Sequence, residues 1–215
     1  MKHLKRHSVP KTWSVPRKGK TFVVRPKSNL KNGIPMLIVL RDLLKIAQNR
    51  KEAKNALHNK NILLNGKYVK DVKNSAILFD VVTNIPAKKN YRIDMTENGK
   101  FKLNEIKESE AGMKISKIID KKMLKDKKIQ LNLSDGRNFV SELKCSTGDS
   151  ALVNFTDKKI EKCIPLREKA PVIIFAGKHA GKKGEIEKIN PQMKMASINS
   201  GSEKINVLLK QLMVI

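Results

Sequence analysis

A chain of 215 residues with 46 Lys+Arg against 20 Asp+Glu carries a formal net charge of +26. Hydrophobic residues make up 40% and aromatics 4%. That is enough apolar content for packed cores and excludes wholesale disorder, and the length suits one or two ordinary domains or several small ones. The longest apolar run near the front, Met36–Leu40, stops at Arg41, far short of the roughly 18 residues of a membrane span. The basic N-terminus has no apolar stretch close behind it, which argues against a secretory signal. Cys145 and Cys163 form no C-x-x-C pair, so neither a disulfide framework nor a metal site is indicated. The expectation is a soluble protein of a reducing compartment.

An excess of like charge repels itself and costs folding stability, so it implies a polyanionic partner that neutralises it. Nucleic acid leads, because each basic contact to a phosphate releases a condensed counterion. A membrane surface would need a basic amphipathic helix or a clustered basic patch, and neither is found. Residues 1–35 hold ten Lys/Arg and no acid; the segments 36–83, 84–165 and 166–215 hold nine against four, eighteen against twelve and nine against four. Every segment is basic, so the partner is expected to touch the whole length of the chain.

Residues 1–35 are punctuated by Pro10, Pro16, Pro26 and Pro35 and show no period before Thr21-Phe22-Val23-Val24. This arm is expected to be extended and mobile in water, since it buries too little to offset its ordering entropy. Lys5, Arg6, Lys11, Arg17, Lys18 and Arg25 would pair with phosphates. Trp13 has two readings, a platform for an RNA base or an anchor into the adjacent domain.

In residues 36–83, Met36, Leu37, Val39, Leu40, Leu43, Leu44 and Ile46 suit a buried helix face. Asn49 with Glu52 three residues on resembles a capping box and opens a second helix from Arg50 to about Asn59, with Ala53, Ala56 and Leu57 inward. Arg50, Lys51 and Lys54 then lie outward near a helix start, where the dipole favours anions. Strands are expected at Ile62-Leu63-Leu64, Tyr68-Val69, Ile77-Leu78-Phe79 and Val81-Val82, with a hairpin turn at Asn65-Gly66. The run Arg50, Glu52-Ala53-Lys54, Ala56-Leu57, Ile62-Leu63-Leu64, Asn65-Gly66-Lys67 resembles the small RNA-binding module first described in bacterial ribosomal protein S-four. That module usually has glycine after its second helix; here Lys60 stands there, and Asn59 or Asn61 is expected to take the left-handed conformation instead.

Residues 84–165 read as strands forming a small barrel or sandwich. Tyr91–Met95 and Phe101–Leu103 flank Asn98-Gly99. Ile129–Leu133 turns at Asp135-Gly136 into Phe139-Val140. Ala151–Phe155 and Ile160–Leu166 follow. The lysine-rich segment Lys121–Lys128 reads as a solvated loop, with phosphate contact as the other reading. Residues 166–215 open with Pro171–Phe175, then Gly177-Lys178-His179-Ala180-Gly181-Lys182-Lys183-Gly184, then Glu185–Ile189. Strand, Gly/Lys-rich loop and strand resemble the KOW motif of ribosomal proteins and elongation factors. The glycines would let the backbone approach a phosphate, and Lys178, His179, Lys182 and Lys183 would contact it. Strands near Met195–Ile198 and Ile205–Leu209 would complete an SH3-like barrel. A P-loop is excluded, since Lys182 replaces the second glycine and no Ser or Thr follows Lys183.

The order of parts resembles the archaeal and eukaryotic small-subunit ribosomal protein family S-four-e. Three stretches carry the resemblance: His3-Leu4-Lys5-Arg6 through Trp13 to Pro16-Arg17-Lys18; Lys128–Leu133 with Asp135-Gly136-Arg137-Asn138; and Gly177-Lys178-His179 with Gly181 and Gly184. It implies an α+β, multidomain chain. The parts would be a basic extended arm (1–35), the S-four-type helix-helix-β module (36–83), a central β-barrel-like domain (84–165) and a KOW SH3-like barrel (166–215). It further implies a structural role in an archaeal, cytoplasmic small ribosomal subunit, in translation and subunit assembly. The partners would be small-subunit rRNA and neighbouring ribosomal proteins, with no cofactor, small-molecule substrate or membrane. Aromatics at 4% argue for binding by shape and backbone rather than base by base. Arg41, Lys67 and Arg137 join the expected contacts. No nucleotide fingerprint, metal cluster or assignable acid–base pair points to an enzyme. The alternatives are a free KOW-containing transcription or translation factor and an accessory of an rRNA-modifying enzyme.

Overall fold

Antiparallel pairing builds every sheet among the described residues. The computed structural model describes residues 3–124, 128–141, 143–201 and 203–215. The chain is mostly β with few helices, and divides into two units: Met1–Met95 with Lys100–Gly112, and Thr96–Gly99 with Met113–Ile215.

In chain order the first unit contains β1 (Leu4–Lys5), β2 (Phe22–Val23), β3 (Ile34–Pro35), α1 (Met36–Ile38) and α2 (Arg50–His58). They are followed by β4 (Ile62–Leu64), β5 (Lys67–Tyr68), β6 (Ser75–Ala76), β7 (Val81–Asn84), β8 (Lys89–Met95), β9 (Phe101–Ile106) and α3 (Glu108–Ala111). α1 runs directly into a wider π-helical turn, Val39–Leu43. The main sheet has the order β5-β4-β7-β8-β9; β1 pairs with β2 and β3 with β6. Met36, Ile38, Leu40, Ile62 and Ile93 are fully buried. Leu43 and Leu44 are only half-buried and Ile46 is exposed. The helix closes at Leu44 and Lys45 turns left-handed (φ 56°), so Ile46 never joins the buried face.

A sequence boundary at residue 83 does not match this sheet. β8 and β9 continue it, because the β7–β8 hairpin pairs Asn84 with Lys89 and Val81 with Arg92. Ile77-Leu78-Phe79 is a turn rather than a strand. The Asp80 carboxylate accepts the Ile77 amide (2.7 Å) and Phe79 adopts φ 64°.

The arm is folded rather than mobile. Trp13 is 2% exposed, and its indole N–H donates to the Gly33 carbonyl at 2.9 Å. Thr12 O accepts the Phe101 amide, and Ser14 Oγ donates to Phe101 O. Arg6 reaches forward along the arm, its Nε donating to Lys20 O and its Nη1 to Pro16 O, both at 2.7 Å. Trp13 is therefore an anchor and cannot stack on an RNA base; one buried ring and a few backbone bonds supply the ordering that composition alone argued against.

Lys60 corrects another expectation. It takes the left-handed conformation itself (φ 57°). Its amide donates to Leu57 O and that of Asn61 to Ala56 O, the paired bonds of a Schellman cap. The Lys60 ammonium lies 5.9 Å from the Tyr68 ring centroid, a cation–π contact that offsets part of the backbone cost.

In the second unit, β10 (Met113–Met123), β11 (Ile129–Leu133), β12 (Asn138–Ser141), β13 (Ser150–Asn154) and β14 (Lys159–Ile164) form a sheet ordered β12-β11-β10-β13-β14. Then β15 (Pro171–Ile174), β16 (Lys183–Asn190), β17 (Met195–Ser200), β18 (Glu203–Leu208) and β19 (Leu212–Val214) form a sheet ordered β18-β17-β16-β15-β19. Ile118, Leu131 and Val153 centre one apolar cluster; Val172, Ile186, Ile198 and Leu212 centre the other. The cysteines, expected unpaired, are joined: Cys145 and Cys163 form a disulfide with Cα atoms 6.0 Å apart. β14 lies beside β13 with Cys163 opposite Ala151, and the turn before β13 returns Cys145 to that site, a proximity 18 positions of sequence do not reveal. In the lysine-rich segment, Lys121–Met123 extend β10, and residues 125–127 lie outside the described residues.

Lys117 on β10 is 6% exposed, and its amine donates to the carbonyls of Leu209 and Leu212. Burial pushes it down to about 8. Below that pH both folded and unfolded chains hold the proton, and the folded state bears the full cost of the buried charge. Between about 8 and the ordinary 10.5 only the unfolded chain holds it, so stability rises with pH.

Two measurements check these assignments. Trp13→Ala is expected to cost about 3–5 kcal/mol in urea unfolding; a change under about 1 kcal/mol would remove Trp13 as the anchor. The stability difference between the natural chain and Lys117→Met is expected to grow by about 1.4 kcal/mol per pH unit above pH 8, and a flat difference up to pH 10 would contradict the buried amine.

Candidate nucleic-acid interface

α2 separates its apolar and basic residues onto opposite faces. Ala53 and Leu57 are buried, while Arg50, Lys51 and Lys54 are exposed. Its start is set by Asn49, whose side-chain oxygen accepts the Glu52 amide at 3.0 Å. The Glu52 carboxylate accepts the Gln48 amide at 2.7 Å and the Asn49 side-chain amide at 2.6 Å. The acid nearest the three cations is thereby committed to the cap. Among the described residues none of the three has an ion pair, so three cations stand at a helix start where the free N–H groups also favour anions.

Lys67 follows the Asn65-Gly66 turn and is exposed on β5. Both turn residues are left-handed, at φ 50° and 73°, as a two-residue hairpin turn requires. Asn65 does more than turn the chain. Its buried amide donates to Asp80 at 2.8 Å, and its oxygen accepts the Val81 amide at 2.9 Å, holding the turn against β7. Arg41 is half-buried and bound through two nitrogens to Asp42, each at 2.8 Å. That hydrogen bond, more than the charge of the carboxylate, raises the guanidinium above its ordinary value. Arg41 is already paired and is a weaker candidate for external contact than Arg50.

In the arm, Lys5, Lys11, Arg17, Lys18 and Arg25 are exposed, whereas Arg6 is consumed by Pro16 and Lys20. In the second unit, Arg137 lies half-buried over the Phe155 ring at 4.9 Å, with Asp135 at 3.8 Å. Asp135 also holds the buried Lys114 at 3.2 Å.

The loop between β15 and β16 is closed by Gly181 N–H donating to Ile174 O at 2.7 Å and Ile174 N–H to Lys182 O at 3.0 Å. It presents Lys178 and Lys183 exposed, with His179 and Lys182 half-buried. Lys182 binds Glu203 at 2.5 Å, a hydrogen bond that holds the carboxyl below its ordinary range. Two of its glycines have close neighbours. A Cβ on Gly184 would lie 2.3 Å from Asn199 O, and one on Gly177 2.8 Å from Gln211 Oε1. Gly184 thus permits the close approach of β17, and Gly177 takes the left-handed conformation at φ 93° beside the Gln211 side chain.

Sequence reasoning passed over two aromatic sites. Tyr68 is 54% exposed beside Lys60, and Phe22 is 59% exposed beside His3. For Phe22 the available signal was register: with Val23 turned inward on β2, its neighbour must point out; for Tyr68, on a strand exposed at both positions, register gave no signal.

Comparison with known proteins gives one answer. The model of "Ribosomal family S4e" matches residues 87–160, and that of the "RS4NT (NUC023) domain" matches residues 1–28. Small ribosomal subunit protein eS4 of Methanocella arvoryzae is 37% identical over 191 residues, 87% of this chain and 80% of that protein. The same protein of Haloarcula marismortui is 36% identical over 213 residues, 97% of this chain and 88% of that one. The crystal structure of 30S ribosomal protein S4e from Thermoplasma acidophilum matches with a TM-score of 0.74 at 26% identity, covering 86% of this chain and 95% of that one.

The tight approach at Gly184 predicts that Gly184→Ala overpacks β16 against β17 and costs about 1–3 kcal/mol in urea unfolding. An alanine variant as stable as the natural chain would show that the strands separate freely there.

Proposed function

The chain belongs to ribosomal family S4e and is a structural constituent of the small ribosomal subunit, and on that premise we propose that it grips folded small-subunit rRNA by backbone and shape. The observation that carries this is the set of exposed cations without an internal counter-charge. Lys5, Lys11, Arg17, Lys18, Arg25, Arg50, Lys51, Lys54, Lys67 and Lys178 are exposed, and none has an ion pair among the described residues. Within each unit their backbone is already placed by the fold, so phosphate binding has mainly side-chain freedom left to restrict.

In this reading the α2 start is the centre of an S-four-type module, and the β15–β16 loop is a KOW loop on an SH3-like barrel. Residues 3–28 are a folded clasp whose exposed cations lie along an RNA backbone. The role is architectural rather than catalytic, in a cytoplasmic ribosome, with adjoining ribosomal proteins as further neighbours. Arg41, Arg6 and Arg137 already have partners within the protein and are weaker rRNA contacts than the unpaired cations.

The expected behaviour is electrolyte-sensitive binding to deproteinised small-subunit rRNA. Each neutralised phosphate contributes roughly 0.7–0.9 to the slope of log affinity against log salt. Replacing Arg50, Lys51 and Lys54 together by Ala is expected to flatten that slope by about 2–3, with thermal unfolding unchanged. An unaltered slope would remove the α2 start from the interface.

A further inference from the structure

From the β1–β2 ribbon we infer that Phe22, with His3 at its edge, is a stacking platform for one unpaired RNA base. The inference rests on the rRNA-binding function above and adds a base contact to it. The ribbon pairs Leu4 with Val23 and Lys5 with Phe22. Leu4 is buried at 5% and Val23 is half-buried, so Lys5 and Phe22 share the outer face. Phe22 is 59% exposed, and the exposed His3 lies with its ring centroid 5.6 Å away and its plane tilted by 53°. At that tilt the two rings are not stacked face to face, and the Phe22 ring stays mostly exposed and open to a base. An exposed phenyl group costs hydration free energy unless something covers it.

The surroundings select what that is. Lys5 stands directly across from Phe22, in a segment of 35 residues with ten Lys/Arg and no acid. An apolar protein surface laid over Phe22 would also cover the Lys5 ammonium and supply nothing to pair it, a heavy cost. A nucleotide brings a flat π-face for the ring and a phosphate for the ammonium. The arm's buried ring, Trp13, is spent on its own fold; Phe22 is the arm ring left at the surface, since the described arm contains no other phenyl, phenol or indole.

The test uses the full chain, deproteinised small-subunit rRNA and nucleotide-resolution chemical probing. Phe22→Ala is expected to bind about 5- to 150-fold more weakly. It should leave the salt slope unchanged, and unmask one unpaired nucleotide that the natural chain protects. Phe22→Trp should restore both affinity and protection. Phe22→Leu keeps an apolar side chain without a π-face and should behave like Ala. Unfolding of all three should match the natural chain, because the ring is mostly solvated. Equal affinity for natural chain and Phe22→Ala, or full rescue by Leu, overturns the platform while leaving the phosphate-based grip standing; the latter would assign Phe22 to an apolar contact. A natural chain that ignores rRNA overturns the underlying function, and the platform with it.

Discussion

Like-charge repulsion is the constraint from which the remaining features follow. A net +26 on 215 residues opposes every contact that brings the chain together, and the acids available to relieve it are few, several of them engaged by backbone amides. Glu52 caps α2. Asp71, Asp80, Asp135 and Asp149 each accept a backbone amide at a turn. A carboxylate used this way shapes the chain, its charge going at least in part to amide dipoles; Asp135 also pairs with Lys114 and Arg137. The fold thus divides its few acids between turn and cap acceptors and ion pairs such as Arg41–Asp42 and Lys182–Glu203, and other surface cations remain without a counter-charge among the described residues. A protein built so is completed by a polyanion, and neutralisation by phosphate stabilises the folded form by mass action as well as holding it in place.

Cations that are used internally do a different job. Arg6 replaces missing secondary structure in the arm by gathering the carbonyls of Pro16 and Lys20. Lys117 enters the interior to reach two carbonyls near the C-terminal strand and gives up part of its basicity to do so. Lys114 is buried against Asp135, which also orients Arg137. Such groups resist substitution for reasons of desolvation and unsatisfied partners. The exposed cations resist it only insofar as a partner is bound. Charge count alone merges the two populations; hydrogen-bond partners separate them.

The candidate interface was legible where local chemistry decides the outcome. Asn49 with Glu52 marked the α2 start, and three cations spaced along one short helix had to share its outer side once Ala53 and Leu57 faced inward. Asn65-Gly66 marked a hairpin because both positions need left-handed backbone. Trp13, Arg6 and Arg137 were less legible. Each is a group that can bind RNA or bind its own protein, and the choice depends on whether Gly33, Pro16 or Phe155 lies within reach. Gly184 was ambiguous in the same way, since a residue that permits close approach does not say what approaches.

From composition, spacing and turn chemistry alone came a basic, β-rich, multidomain chain, the position of most strands, the helix start at Arg50 and the class of partner. These follow from period, cap and charge, which act over a few residues or over the whole chain at once. Tertiary structure decided that the arm folds, that β8 and β9 extend the first sheet past residue 83, that Cys145 meets Cys163, and that Lys60 itself bears the left-handed cap. All four depend on contacts between distant segments, or on a small strain that a neighbouring ring offsets. No local window of sequence contains the free energy that settles them.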